Sequence, residues 1–209
     1  MTLALQGGAE YIHLDVMDGQ FVQNITFGPL LIEAMAPLVH QAGAQVDVHL
    51  MIASPERFIP AFAKAGADII TIHVESCKDI MGTLKGIRMQ GARSGLTLRP
   101  RTPLLSIIGG MPYADLILVM SVEPGWGGQA FLPESLARIR RIRELLDENA
   151  ARTEIEVDGG ISVENARQIA EAGANVLIAG SAVFRSPQPI PDSVRALRRA
   201  ADGLPPDPP

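Results

Sequence analysis

Five times along this chain a helix-compatible run ends in Gly-Ala and passes directly into a run of β-formers. The pairs are Gly8-Ala9 before YIHLDV, Gly43-Ala44 before QVDVHL, Gly66-Ala67 before DIITIHV, Gly91-Ala92 before RSGLTL and Gly173-Ala174 before NVLIAG. Glycine ends a helix because it enters the left-handed conformation cheaply, so each pair marks a helix stop with a strand close behind. The successive glycine spacings are 35, 23, 25 and 82 residues. The last interval holds two more strand candidates, at 116–120 and 153–157, which makes it roughly three repeat units long.

Seven strands are therefore expected, at about 11–16, 45–50, 69–74, 94–98, 116–120, 153–157 and 176–179. Most are continuous apolar runs, and helical patterns at 55–65, 133–149 and 163–172 alternate with them, which indicates βα units around a buried parallel sheet. The expected fold is α/β, a TIM (β/α)8 barrel spanning residues 1–203 as a single domain. Seven strands are one short of a closed barrel, and only seven residues precede the first Gly-Ala, so the first strand and most of the first helix are expected to be missing. An open doubly wound sheet fits the same alternation. The Pro-rich end at 204–209, LPPDPP, is expected to be a frayed, disordered tail.

Composition narrows the function classes. With 209 residues, 47% of them hydrophobic, the chain can bury a large core. A formal net charge of -5 with scattered Lys and Arg leaves no electrostatic footprint for nucleic acid or an anionic membrane, so an anionic substrate must be held by local groups. The single cysteine, Cys77, excludes an internal disulfide framework, and neither a membrane-spanning run nor a signal-peptide pattern occurs, so a cytoplasmic protein is expected.

In parallel α/β folds the site lies at the carboxyl ends of the strands. In the first strand His13 and Asp15 are two residues apart and share a face. In the second, Asp47, His49 and Met51 share a face; near 153–158, Glu154, Glu156 and Asp158 do, with Asp158 immediately before Gly159-Gly160. Any one of these groups alone is explained as a satisfied core or rim polar residue. Two imidazoles and two carboxylates at matching strand ends form an N2O2 set suited to Zn2+, Fe2+, Mn2+ or Co2+. Two glycine-containing loops, SVEPGWGGQ with Gly125, Gly127 and Gly128, and AGSAVF with Gly180-Ser181, offer backbone amides to an anion.

The segments HLDVMDGQFVQNITFGP, DVHLM, MSVEPGWGGQAF, EVDGGI and AGSAVF, in this order and at natural spacing, resemble the ribulose-phosphate 3-epimerase family from about residue 5 to residue 186. The resemblance implies a (βα)8 barrel that uses one divalent metal, Zn, Fe(II), Mn or Co, to interconvert D-ribulose 5-phosphate and D-xylulose 5-phosphate through a metal-stabilised enediolate. It implies that His13, Asp15, His49 and Asp158 bind the metal and that Asp15 and Asp158 are the acid/base pair. His49, Gly125, Trp126, Gly127, Gly128, Asp158, Gly159, Gly160, Gly180 and Ser181 would hold substrate, and Met17, Met51 and Met120 would line the reacting centre. A phosphorylated ketose is the expected partner, in a homo-oligomer with no nucleic-acid or membrane contact.

The chain departs from the family pattern in places. Gln20 and Gln23 stand where a His and a Pro are usual, Arg99 stands where many relatives carry Asn, and the family's substrate-binding serine in a SILSAD-like first strand has no counterpart here. His73 is expected to pack inside the barrel, His40 to be a solvated loop residue, and Trp126 to pack the phosphate loop. The alternatives are a hexulose-6-phosphate 3-epimerase, a truncated non-catalytic phosphate-binding barrel, and a barrel lyase, the last disfavoured because no lysine occupies a strand end.

Overall fold

The computed structural model describes residues 1–205. Seven parallel strands pair in chain order: β1 (Tyr11–Met17), β2 (Gln45–Met51), β3 (Ile69–His73), β4 (Arg93–Leu98), β5 (Leu116–Met120), β6 (Glu154–Asp158) and β7 (Val176–Ile178). A doubly wound sheet reverses its strand order partway across. This sheet does not, and it curls into a nearly closed barrel. Among the described residues β1 and β7 do not pair with each other, and a cavity of about 600 Å³ reaches the gap between them, past Tyr11, Ile12, Val176 and Leu177. No helix of the described residues is long and apolar enough to cross a membrane.

The helices are α1 (Thr2–Gln6), α2 (Pro29–Gln41), α3 (Ile59–Lys64), α4 (Ile80–Met89), α5 (Leu105–Ile108), α6 (Ser135–Glu148), α7 (Ala166–Glu171), α8 (Ser181–Phe184) and α9 (Ile190–Ala201). Continuous apolar strands need cover on both faces. Outward residues such as Val46, Val48, Ile70, Ile72, Ile117 and Val119 pack with the helix residues Ile32, Val39, Phe62, Leu84, Ile87 and Ile139. The inner face is divided. Ile69, Leu116, Leu118 and Met120 form an apolar patch on β3 and β5, whereas β1, β2 and β6 send His13, Asp47, His49 and Glu156 inward. At the amino-terminal end of the strands Arg93 plugs the barrel, paired with Glu154 and within 3.3 Å of both Tyr11 Oη and Gln45 Oε1.

The repeat signal has a direct structural cause. All five glycines of the Gly-Ala pairs have positive φ: 91° at Gly8, 76° at Gly43, 104° at Gly66, 87° at Gly91 and 115° at Gly173. At four of them the following alanine N–H closes the helix, onto Ala4, Val39, Phe62 and Ile169 carbonyls at 3.1 to 3.3 Å. A further stop has the same geometry without glycine. Ala150 takes φ 49°, and Ala151 N–H bonds the Leu146 carbonyl at 2.9 Å. One of the units inside the long 82-residue interval therefore lacks its glycine.

One expectation changes. The helix expected at 55–65 is a 3₁₀ turn, Pro55–Arg57, followed by α3, because Pro60 and Phe58 mark a second helix start. The tail expected at 204–209 lies outside the described residues from 206 onward, while Leu204 N–H still bonds the Arg199 carbonyl at 2.8 Å. Since a left-handed non-glycine residue costs about 1–2 kcal/mol, Ala150→Gly is expected to stabilise the protein by about 0.5–1 kcal/mol. Urea denaturation checks this, and unchanged or reduced stability would contradict the cause assigned to that helix stop.

Candidate active site

Parallel pairing brings the chemistry together. The register sets Asp15 beside His49, His13 beside Asp47 and Met120 beside Asp158. Side chains two apart on a strand share a face, so β1 and β2 deliver His13, Asp15 and His49 to one wall, and Asp158 enters from β6. One ligand atom from each of His13, Asp15, His49 and Asp158 lies within 4.8 Å of the others. Two separations are His49 Nδ1 to Asp15 Oδ1 at 3.0 Å and His13 Nε2 to Asp15 Oδ1 at 3.3 Å. A tetrahedral site with arms of about 2.05 Å has edges of about 3.3 Å, so the spacing suits a small divalent ion.

Protonation decides what these atoms are. His13 Nδ1 faces Asp47 Oδ2 at 2.5 Å and keeps its hydrogen there, so Nε2, buried and with no hydrogen-bond partner, is the nitrogen that exchanges a proton for a cation. Asp15 is held well below the usual carboxylate range: burial opposes ionisation, but the imidazoles of His13 and His49 beside it outweigh that. Asp158 is pushed up to about 6 by burial and by the charge of Asp15. Burial disfavours a charged His13, yet Asp47, helped by Asp15 and Glu156, raises its proton affinity well above that of a free imidazole. Glu156 is pushed far up by burial and by Asp47, so it is a neutral acid beneath the site. Every element of this cluster calls for a positive charge at its centre.

The loop after β1 covers the site. Asp18 accepts hydrogen bonds from the backbone of Gln20, Phe21 and Ala53 at 2.8 to 2.9 Å, and Thr26 Oγ1 donates to the Asp15 carbonyl at 2.7 Å. Met17 and Met51 pack with Val22 above the metal-ligating candidates, and with Met120 they line the cavity. Gln20 and Gln23 are exposed, so neither substitution reaches the core. Arg99 donates to the Phe21 carbonyl at 2.7 Å with its guanidinium 4.3 Å from that ring's centre, so it braces the loop.

The glycines divide into two kinds. Added Cβ atoms at Gly159 and Gly160 would meet Val122 Cγ2 at 2.5 Å and the Phe131 amide nitrogen at 2.3 Å, so these glycines let β6 and the 121–132 loop close together. Ser121 reinforces that closure by donating to the Asp158 and Gly159 carbonyls at 2.8 and 2.7 Å. Gly127 and Gly180 face open space instead. The sequence reading overlooked Arg185, whose Nη1 would lie 3.6 Å from a Cβ at Gly128; its signal was a cation directly after SAVF. Trp126 is 60% exposed and lines the rim of the cavity. His40 lies in the last turn of α2, not a loop, and pairs with Asp68 at 2.8 Å. His73 is fully buried as expected, but it also bonds a site residue, His49, at 2.8 Å through the two Nε2 atoms, and burial pushes it down to about 4.

Gly160→Ala is expected to lower stability by about 2 kcal/mol or more, because the new methyl group overlaps backbone and φ is 65°. Gly127→Ala is expected to leave the denaturation midpoint nearly unchanged. Equal losses in the two variants would refute the division.

Solved structures give the fold alone: KGPDC from Streptococcus mutans superposes with a TM-score of 0.70 at 16% identity, covering 97% of this chain and 91% of that one. A 3-hexulose-6-phosphate synthase superposes at 0.68 with 21% identity, covering 95% and 92%. Sequence relatives are far nearer. The ribulose-phosphate 3-epimerase of Synechocystis sp. is 50% identical over 184 residues, 87% of this chain and 79% of that protein. The Bacillus subtilis enzyme of the same name is 48% identical over 86% of this chain and 82% of its own length. The family model described as the ribulose-phosphate 3 epimerase family matches residues 1–184, and with these relatives it shows that the chain belongs to that family.

Proposed function

We propose that this protein interconverts D-ribulose 5-phosphate and D-xylulose 5-phosphate by inverting C3. His13, Asp15, His49 and Asp158 hold one divalent cation, and Asp15 and Asp158 exchange the protons. The observation that carries the reading is the convergence of four acceptor atoms, one of them a buried unpartnered imidazole nitrogen, beside a cavity of about 600 Å³. Such a set is stable only around a cation.

Inversion requires that a proton leave one face of a carbon beside a ketone and that another arrive on the opposite face. Two carboxylates suit this when their environments drive their proton affinities apart. Asp15, ionised and hydrogen-bonded, is ready to accept a proton; Asp158, pushed up to about 6, is ready to give one. A bound divalent cation supplies Lewis acidity toward the oxygens next to the reacting carbon. Met17, Met51 and Met120 wall the carbon off from bulk water, which strengthens the electrostatic interactions there.

The phosphate lies between the 125–128 loop and the backbone at Gly180-Ser181. Support comes from the open space above Gly127 and Gly180 and from the guanidinium of Arg185 beside Gly128. Gly159 and Gly160 hold the two loops together and so act on the substrate indirectly. The division of labour fits a protein whose net charge of -5 would not itself attract an anion.

Asp158→Asn should fold normally and lose about 10²–10⁴-fold in kcat, since an amide does not exchange a proton at neutral pH. Retention of most of kcat, measured with circular dichroism as a control, would remove Asp158 from the acid/base pair. Arg185→Ala should raise KM for the phosphorylated ketose more than it lowers kcat, and should weaken competitive inhibition by inorganic phosphate. Inhibition by phosphate at wild-type strength would place the anion elsewhere.

A further inference from the structure

His73 and Glu75 lie behind the site and touch neither the cavity nor the four converging atoms. Their geometry still dictates which nitrogen of His49 is free. His73 Nδ1 stands 3.2 Å from Glu75 Oε2, and His73 Nε2 stands 2.8 Å from His49 Nε2. His49 Nδ1 then faces Asp15 Oδ1 at 3.0 Å. Both imidazoles are fully buried, where a charged ring is costly.

We infer that His73 and Glu75 are positioning residues that set the tautomer of His49 and thereby make it a cation ligand. The hydrogen positions follow in order. Glu75 is an acceptor, so His73 Nδ1 carries the hydrogen; His73 Nε2 is then the acceptor, and His49 Nε2 must donate to it. That leaves His49 Nδ1 as a lone pair aimed at the centre of the site. A ligating imidazole is commonly held this way by a partner on its other nitrogen, and loss of that partner weakens metal binding by about 10–100-fold.

The relay is anchored at its far end. Glu75 Oε1 accepts from the Arg99 backbone N–H at 2.8 Å and from the Thr102 hydroxyl, which fixes the carboxylate's orientation toward His73. The His73 ring is packed between the His49 ring, 5.0 Å away centre to centre, and the Phe21 ring at 4.7 Å. Phe21 is in turn held by Arg99, so the covering loop and the ligand's tautomer share one support.

Glu75→Gln tests this with almost no change of shape. The Arg99 N–H only donates, so the amide oxygen stays with it and the NH₂ group turns to His73 Nδ1. His73 then carries its hydrogen on Nε2, His49 accepts there, and an N–H points into the site. The inference rests on His49 being a cation ligand, so the readout is Co2+ affinity of metal-free protein, measured by competition with a chromophoric chelator. Wild type is expected to bind one Co2+, with Glu75→Gln binding about 10–100-fold more weakly at an unchanged metal-free Tm. His73→Gln, which keeps an acceptor for His49, should stay within a few-fold of wild type; His73→Leu, which does not, should fall with Glu75→Gln.

Wild-type affinity in Glu75→Gln, or equal losses in the two His73 variants, would overturn the relay. Failure of the wild type itself to bind Co2+ would instead overturn the proposed cation site. If Glu75→Gln does not fold, the His73 pair decides.

Discussion

The crowding of acceptor atoms at the carboxyl ends of β1, β2 and β6 is the constraint on which the rest of this structure depends. Asp15 stands within 3.3 Å of one imidazole nitrogen and 3.0 Å of another, with the Asp158 carboxylate nearby. An arrangement of this kind inside a barrel is costly unless positive charge is supplied to it. The surroundings are organised accordingly. Asp47 faces His13 Nδ1 on the side away from the centre, burial and Asp47 push Glu156 toward its neutral form, and His73 faces His49 Nε2 on the opposite side.

The scaffold makes that arrangement rigid. Adjacent parallel strands with a fixed register put His13, Asp15 and His49 on one wall, and β6, across the barrel, adds Asp158. Glycine at 159 and 160 lets the loop after β5 close onto the end of β6, so that loop and the strand carrying Asp158 are one unit. The polar inner face on β1, β2 and β6 is balanced by the apolar patch of Ile69, Leu116, Leu118 and Met120 on β3 and β5. Sites built on strands, with loops braced by groups such as Asp18 and Arg99, hold their geometry better than sites built on loops alone.

The fold was largely legible because local rules carried it. Each Gly-Ala pair corresponds to a helix stop whose glycine needs positive φ, a property of the residue itself. The stop at Ala150 was missed because there a residue without that preference is held in the same conformation by its surroundings. Alternation along single strands likewise set His13 with Asp15, and Asp47 with His49, on one face. The family resemblance then singled out which polar residues belong to the site.

Sequence by itself determined the βα repeat, the parallel sheet, the four converging side chains and the glycines of the loops, since each follows from spacing, conformational preference or motif. Tertiary structure alone decided what lies across the barrel: that Asp47 orients His13, that Arg185 reaches Gly128, that Trp126 stays exposed, and that His73 is a partner of His49. It also separated Gly159 and Gly160, which are packed against Val122 and Phe131, from Gly127 and Gly180, which are open. The physical reason is range. Backbone preference and strand alternation act over a few residues, whereas proton positions and steric vacancy are set by groups dozens of residues apart that only the curled sheet brings into contact.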